Sequence, residues 1–445
     1  MKKILFLGLA PSLLFLANVG VAQSNSPVII AANNPVPSQL NYEQDILGEG
    51  LGAITMGGDV ITIGSGLSDL KNEDRVPLRP KQVYQLSEGP WGNLEYYVTY
   101  LQVPRHYAEL LPMPSDVTTW HFNGEDPENA IRAMASHGIL TLNGKNWYEL
   151  GQWRGVPNSG DIAFMPDEEL LLSLSKGQRE GLHKLLAENP NNNDSVNPVV
   201  VESGDPVTWY REAGLKEETV QQIAALCYRN QKAVVFSDSS FVLSKLATLD
   251  ERRKYLRALT RTRTLMLRLN VEESHDFDSV VDYWTNGHKR KAILPILESI
   301  AETPGVERID VAHLLPPTPR KHLFTYPGLS DYLIHGDVDC HWTSLNFFRS
   351  NPNELLPNNI ASEIFAQSYE SVVGALQFGD VILMLDPETQ ELKHSSVFIA
   401  GDIVYTKNGF GRTNPWVFMR YGDMVTRYFE ETWTSHAIRL KEVSD

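Results

Sequence analysis

Cysteine is almost missing from this 445-residue chain: Cys227 and Cys340 are its only two. A multi-bridge disulfide scaffold is therefore excluded, and one bridge is the most the chain can form with itself. Excess positive charge is missing too, since 39 Lys and Arg face 55 Asp and Glu for a net charge of -16. Phosphate neutralisation cannot drive such a chain onto nucleic acid, and polyanions are poor partners for it. After the first residues no segment approaches the ~20 apolar residues that cross a bilayer. The 12 histidines include no His-Glu-x-x-His and no pair at ligand spacing. His275-Asp276-Phe277-Asp278 lacks the glycine of a calcium loop and suits a helix cap, while Gly64-Ser65-Gly66 lacks the Lys-Ser/Thr of a phosphate loop. No metal and no cofactor is assigned.

What is present begins with a leader pattern. Met1-Lys2-Lys3 precedes Ile4-Leu5-Phe6-Leu7-Gly8-Leu9-Ala10, then Leu13-Leu14-Phe15-Leu16 and the small residues Gly20-Val21-Ala22. This is the layout of a signal peptide over 1–22 with cleavage near Ala22, and Pro11 and Ser12 break the apolar run before it can span a membrane. The expectation is a secreted or periplasmic protein without a transmembrane anchor. With 42% hydrophobic residues the chain can bury a large core, and its length implies about two to four domains.

Composition divides the rest. Residues 23–80, rich in Asn, Pro, Ser and Gly, read as an irregular lead-in, and 81–198 as a mixed domain. Leu94 to Leu101 is aromatic and β-branched, a strand pattern; Asp126-Pro127 opens a helix over Glu128 to His137, and another runs from Ser175 to Glu188. The polar tract Asn189 to Pro198 is the clearest internal linker. A mixed helical domain follows over 199–315, with helices near Glu217 to Asn230, Asp250 to Leu259 and Lys291 to Glu302 and a strand over Thr260 to Leu269. Its arginines, Arg252 to Arg268, concentrate positive charge locally but carry no interleaved aromatics, so they suit a solvated face. Cys227 falls on one helical face with Val220, Ile223 and Ala224 and suits a small core residue.

Chemistry gathers after the proline-rich joint Leu314 to Arg320, in a last domain over 316–445. Asp339 can cap a helix that starts at Cys340, carries Leu345 and Phe348 on its core face and ends at Asn351-Pro352. In a first turn the helix dipole favours thiolate, and a thiolate is a nucleophile. Phe378-Gly379-Asp380-Val381 leads into a buried-type strand. His394 heads a second strand, and the Gly401-Asp402 turn returns the chain through Ile403 to Asn408. A nucleophile on a helix facing a base on a sheet is the layout acyl transfer needs. His341, next in the helix, points ~100° away from Cys340 and reads as peripheral.

These pieces resemble the NlpC-like papain-fold peptidases that remodel bacterial cell walls, over about 316–430. Asp339-Cys340 matches that family's nucleophile motif, Phe378-Gly379-Asp380-Val381 its Gly-Asp strand, and His394 with Val397-Phe398-Ile399 its base-bearing strand. The resemblance implies an α+β, papain-like domain with a helix packed on an antiparallel sheet, preceded by mixed α/β domains. It implies a Cys340–His394 pair cleaving amide bonds in peptidoglycan stem peptides, with Tyr326 and Asp339 shaping the substrate and oxyanion site. His341-Trp342 stands where the family has Ser-Gly. For the residue that orients the base, Thr406 lies near the family position and Asn408 has the better chemistry; Asn408 is assigned. Two alternatives remain: a transglutaminase-like acyltransferase, for which Asp402 lies too early after His394, and a non-catalytic envelope-binding protein. Oligomeric state and the role of 23–315 are left open.

Overall fold

The computed structural model describes residues 54–56, 59–61, 82–109, 113–139, 144–271, 276–286, 290–328, 338–350, 355–428 and 433–441. The leader over 1–22, most of the lead-in, His275 and the helix stop at Asn351-Pro352 lie outside them. The chain divides into a unit over 1–78 and one over 79–445. In the first, Ile54–Met56 and Asp59–Ile61 pair as an antiparallel hairpin. The second is α+β, and its sheets are antiparallel.

Local chemistry starts the helices of this second unit where the sequence marks them. Asp126 accepts the Glu128 N–H at 3.0 Å, with Pro127 in the first turn of Pro127–Ser136. Ser175 and Gln178 form a reciprocal capping box on Lys176–Leu186, as Thr248 and Glu251 do on Leu249–Leu259. Asp276 accepts from Ser279 N at 3.3 Å, which is the capping role expected of it. The tract over 189–198 is not a linker. Asn192 is buried, its side chain bonding His121 N, His121 O and Leu186 O, and Asn189 reaches Asn123 and Asp161. Asparagine amides that satisfy backbone groups make this polar stretch a clamp against the sheet of Trp120–Phe122, Gly151–Val156 and Asp161–Pro166.

The strand Asn93–Leu101 pairs with Thr262–Asn270 along its whole length, Leu101 opposite Thr262 and Asn93 opposite Asn270. That pairing crosses the joint expected at 198/199. The joint at 315/316 is crossed by packing: Leu94, Leu265 and Leu267 share one core with Val397, Ile399, Tyr405 and Phe418. The Thr264 hydroxyl adds a polar tie, donating to Phe418 O at 3.1 Å and accepting from Phe418 N at 3.2 Å.

The sheet that carries the C-terminal motifs is six-stranded, in the order Tyr369–Ser371, Thr434–Leu440, Val381–Leu385, Leu392–Ala400, Ile403–Lys407, Trp416–Arg420. Gly379 enters it at φ +92°, where an added Cβ would strike the Phe348 ring, so this turn requires glycine. Asp380 then takes both Arg439 contacts at 2.7 Å and the Gln377 N–H at 2.7 Å. The Gly-Asp pair thus builds the strand entry.

Away from that sheet, Arg179 and Asp238 form an ion pair at 2.5 Å with both side chains 1% exposed. Burial alone would raise the Asp238 carboxyl, yet the Arg179 guanidinium, then His183, hold it below its ordinary value. A carboxyl depressed on folding stabilises the protein above its unfolded value of ~4 and loses that contribution as acid drives it through the lower folded value. Asp238→Ala strands the guanidinium and should cost about 3–5 kcal/mol in urea unfolding. The variant should also lose stability less steeply than wild type below ~pH 4. A cost under ~1 kcal/mol, the range of a surface pair, would show that the pair is solvated in solution.

Candidate active site

Cys340 opens the helix Cys340–Leu345, because Asp339 caps it by accepting the Trp342 N–H at 2.9 Å. The helix lies on the strand of His394: the Ser395 hydroxyl donates to Cys340 O at 3.1 Å and meets Ser344 Oγ at 3.0 Å. The ladder between Leu392–Ala400 and Ile403–Lys407 begins only at Val397–Tyr405, which leaves the Ser395 N–H beside a gap. The helix ends at Leu345, short of the expected stop, because the Asn346 amide folds back on Trp342 O and onto Leu356 N and O.

The position of the thiol agrees with expectation and its ionisation does not. Burial pushes the Cys340 thiol up to about 12, and the Asp339 carboxylate adds to it; the N–H groups of Ser395 and His341 and the Lys407 ammonium oppose the rise without cancelling it. Desolvation outweighs one short helix's dipole. His394 is fully buried, and burial, with His341 and Arg427 nearby, holds its imidazole well below the ordinary value. At rest the pair is thiol and neutral imidazole. Cys227, the other cysteine, is a core residue as expected, its thiol pushed to about 12 by burial.

Both ring nitrogens of His394 are engaged. Nε2 meets Thr406 Oγ1 at 3.1 Å and Nδ1 meets the Tyr428 hydroxyl at 2.8 Å, with the tyrosine ring 4.4 Å from the imidazole. The Tyr428 hydroxyl also donates to Asn408 Oδ1 at 3.4 Å. The direction of its contact with Nδ1, and of the Thr406 contact with Nε2, follows the ring tautomer: a proton on Nδ1 leaves Nε2 basic, and a proton on Nε2 leaves Nδ1 basic. Among the described residues no hydrogen bond joins Cys340 Sγ to His394. The Cys340 thiol is near enough to the Tyr428 hydroxyl to help raise it, after burial, well above its ordinary value.

The structure therefore gives the orienting contact to Thr406 and not to Asn408. Continuing the register of Val397–Tyr405 sets Asn408 opposite His394, but that pairing ends at Tyr405 and the Asn408 amide donates to Met419 Sδ at 3.0 Å. The diagonal residue on the same face is the one that reaches the ring. Tyr326 is not gathered with this group. Its hydroxyl is buried without a hydrogen-bond partner and is raised by burial, with Arg257 and Glu202 as the charges that reach it. Asp402 pairs with Arg420 at 2.6 Å. His341 is less peripheral than its sequence position implies: Nδ1 meets Ser395 Oγ at 3.0 Å, and ligand atoms of Asp339, Cys340 and His341 lie within 4.8 Å of one another. Tyr428 escaped sequence reading because nothing marks it; it follows the short helix Tyr421–Arg427, and only the fold returns it to His394.

Comparison with protein-family models, curated proteins and solved structures returned no match. Among the described residues no helix is long and apolar enough to cross a membrane.

Thr406→Val keeps the shape of the side chain and strips Nε2 of its partner. It should cost about 1–3 kcal/mol of stability and move the His394 ring signals in NMR. Asn408→Ala should leave those signals in place. The opposite pattern would return the role to Asn408.

Proposed function

We propose that the chain is an exported thiol hydrolase whose last 130 or so residues adopt a papain-like arrangement and cleave amide bonds in peptidoglycan stem peptides. One observation carries the reading: a buried first-turn thiol sits on a helix that the Ser395 hydroxyl ties to the strand of His394, whose imidazole is held at both nitrogens by Thr406 and Tyr428. Substrate class and export rest on the resemblance and on the leader pattern alone.

In this reading His394 carries its ring proton on Nε2 during catalysis, Tyr428 turns its hydroxyl from Asn408 to Nδ1, Nδ1 is the base and Tyr428 carries the proton. As the thiol proton passes to the tyrosine oxygen, the tyrosine O–H passes to Nδ1, and the sulfur attacks the amide carbonyl. The N–H groups of His341 and Ser395 face the charge that develops. Imidazolium then returns its proton through Tyr428 to the departing amine, and water releases the acyl group by the reverse route. Thr406 keeps the ring in the tautomer that presents Nδ1. A neutral pair suits this route, since charge separates only as substrate closes the site.

A non-catalytic role is the competing reading, favoured by the occupied ring nitrogens and the lack of a direct thiol–imidazole bond. Purified peptidoglycan incubated with wild type and with Cys340→Ala, then read by mass spectrometry, separates the two. New stem-peptide fragments with wild type alone support the hydrolase; no fragments from either protein would sink it. Tyr428→Phe should lower turnover about a hundredfold, the scale of one proton-transfer contribution. Unchanged or faster turnover would show that the hydroxyl blocks Nδ1 and relays nothing.

A further inference from the structure

Asp339, Cys340 and His341 are consecutive, and their side chains bring a carboxylate oxygen, a sulfur and an imidazole nitrogen within 4.8 Å of one another. Search for metal sites by residue spacing passes over three neighbours in a row, because an extended or helical stretch sends them apart. Here the change of backbone at the cap, extended at Asp339 and helical from Cys340, turns them together. A tetrahedral zinc ion with bonds of ~2.0–2.3 Å holds its donors ~3.3–3.8 Å apart, so small rotations of these side chains would close the site.

We propose that these three residues bind a zinc ion that silences the nucleophile. The donor set is thiolate, imidazole and carboxylate, which zinc accepts together, and a fourth position stays open to water. The helix end contributes nothing, since its partial positive charge opposes a cation; the side chains do the binding. Thiolate and carboxylate bring two negative charges to a dication, which relieves the cost of burying either alone. His341 has one nitrogen on the Ser395 hydroxyl and one to spare, the division that metal-bound imidazoles use. His341 and Asp339 are half-buried while Cys340 is buried, so an ion can arrive from the solvent side. Binding forms a Zn–S bond, displaces water from the aqua ion and releases the thiol proton to solvent. The silencing part of this proposal rests on Cys340 being the nucleophile; the binding part does not.

The test uses the full mature chain, stripped with a chelator and titrated with zinc chloride. Calorimetry should find one ion per chain, and one equivalent should slow iodoacetamide labelling of Cys340 at least tenfold, read by peptide mass. His341→Ala and Asp339→Asn should each weaken binding at least tenfold, and Cys227→Ser should not. Cobalt should give a thiolate charge-transfer band that Cys340→Ser lacks. Labelling of wild-type Cys340 that zinc does not slow overturns the proposal without any variant having to fold. Undiminished affinity in a folded His341→Ala overturns it too. If stripped wild type leaves peptidoglycan intact, the hydrolase reading fails, while calorimetry and labelling still decide zinc binding.

Discussion

Desolvation governs this site. The six-stranded sheet and the helix Cys340–Leu345 take a thiol and an imidazole out of water together, and that single step sets the protonation of both. Water can supply or take up the protons of a solvated pair as the pH directs; a dry pair needs hydrogen bonds to define its protons. Thr406 and Tyr428 supply them. The polar neighbours of His394 are therefore more than ornament on a dyad, since they decide which ring nitrogen is basic.

Much of this was legible in the sequence. Caps and breakers are local signals, and they placed the helices at Pro127 and Cys340 and the strands on both sides of the Gly401-Asp402 turn. Signals that depend on surroundings were not. The asparagines over 189–198 look like a mobile connector because an amide's partner is invisible until the sheet is in place. Asn408 looked better than Thr406 on side-chain chemistry, whereas the end of a ladder decides which of the two faces His394. The acidity of Cys340 was misjudged because a helix start can be read from residues and burial cannot.

The domain picture changes for a related reason. Linkers were inferred from composition, but a sheet has no regard for composition between its strands. Residues 93–101 and 262–270 form one unbroken pairing, and the apolar face of these two strands shares its core with the face of the six-stranded sheet that carries Ser395, Val397 and Ile399. The proposed catalytic segment leans on the region whose role the sequence left open. That region is at least a foundation.

The Thr264–Phe418 tie has a further consequence, in time rather than space. Its partners stand 154 residues apart, and the strand of Thr264 is itself paired with one from the first quarter of the chain. Loop-closure entropy makes such contacts slow to form, and the Thr264–Phe418 tie cannot form until the last strands exist. A growing chain would therefore complete this shared core only when it is itself nearly complete. The surroundings of Cys340 and His394 are therefore among the last parts of the chain to assemble.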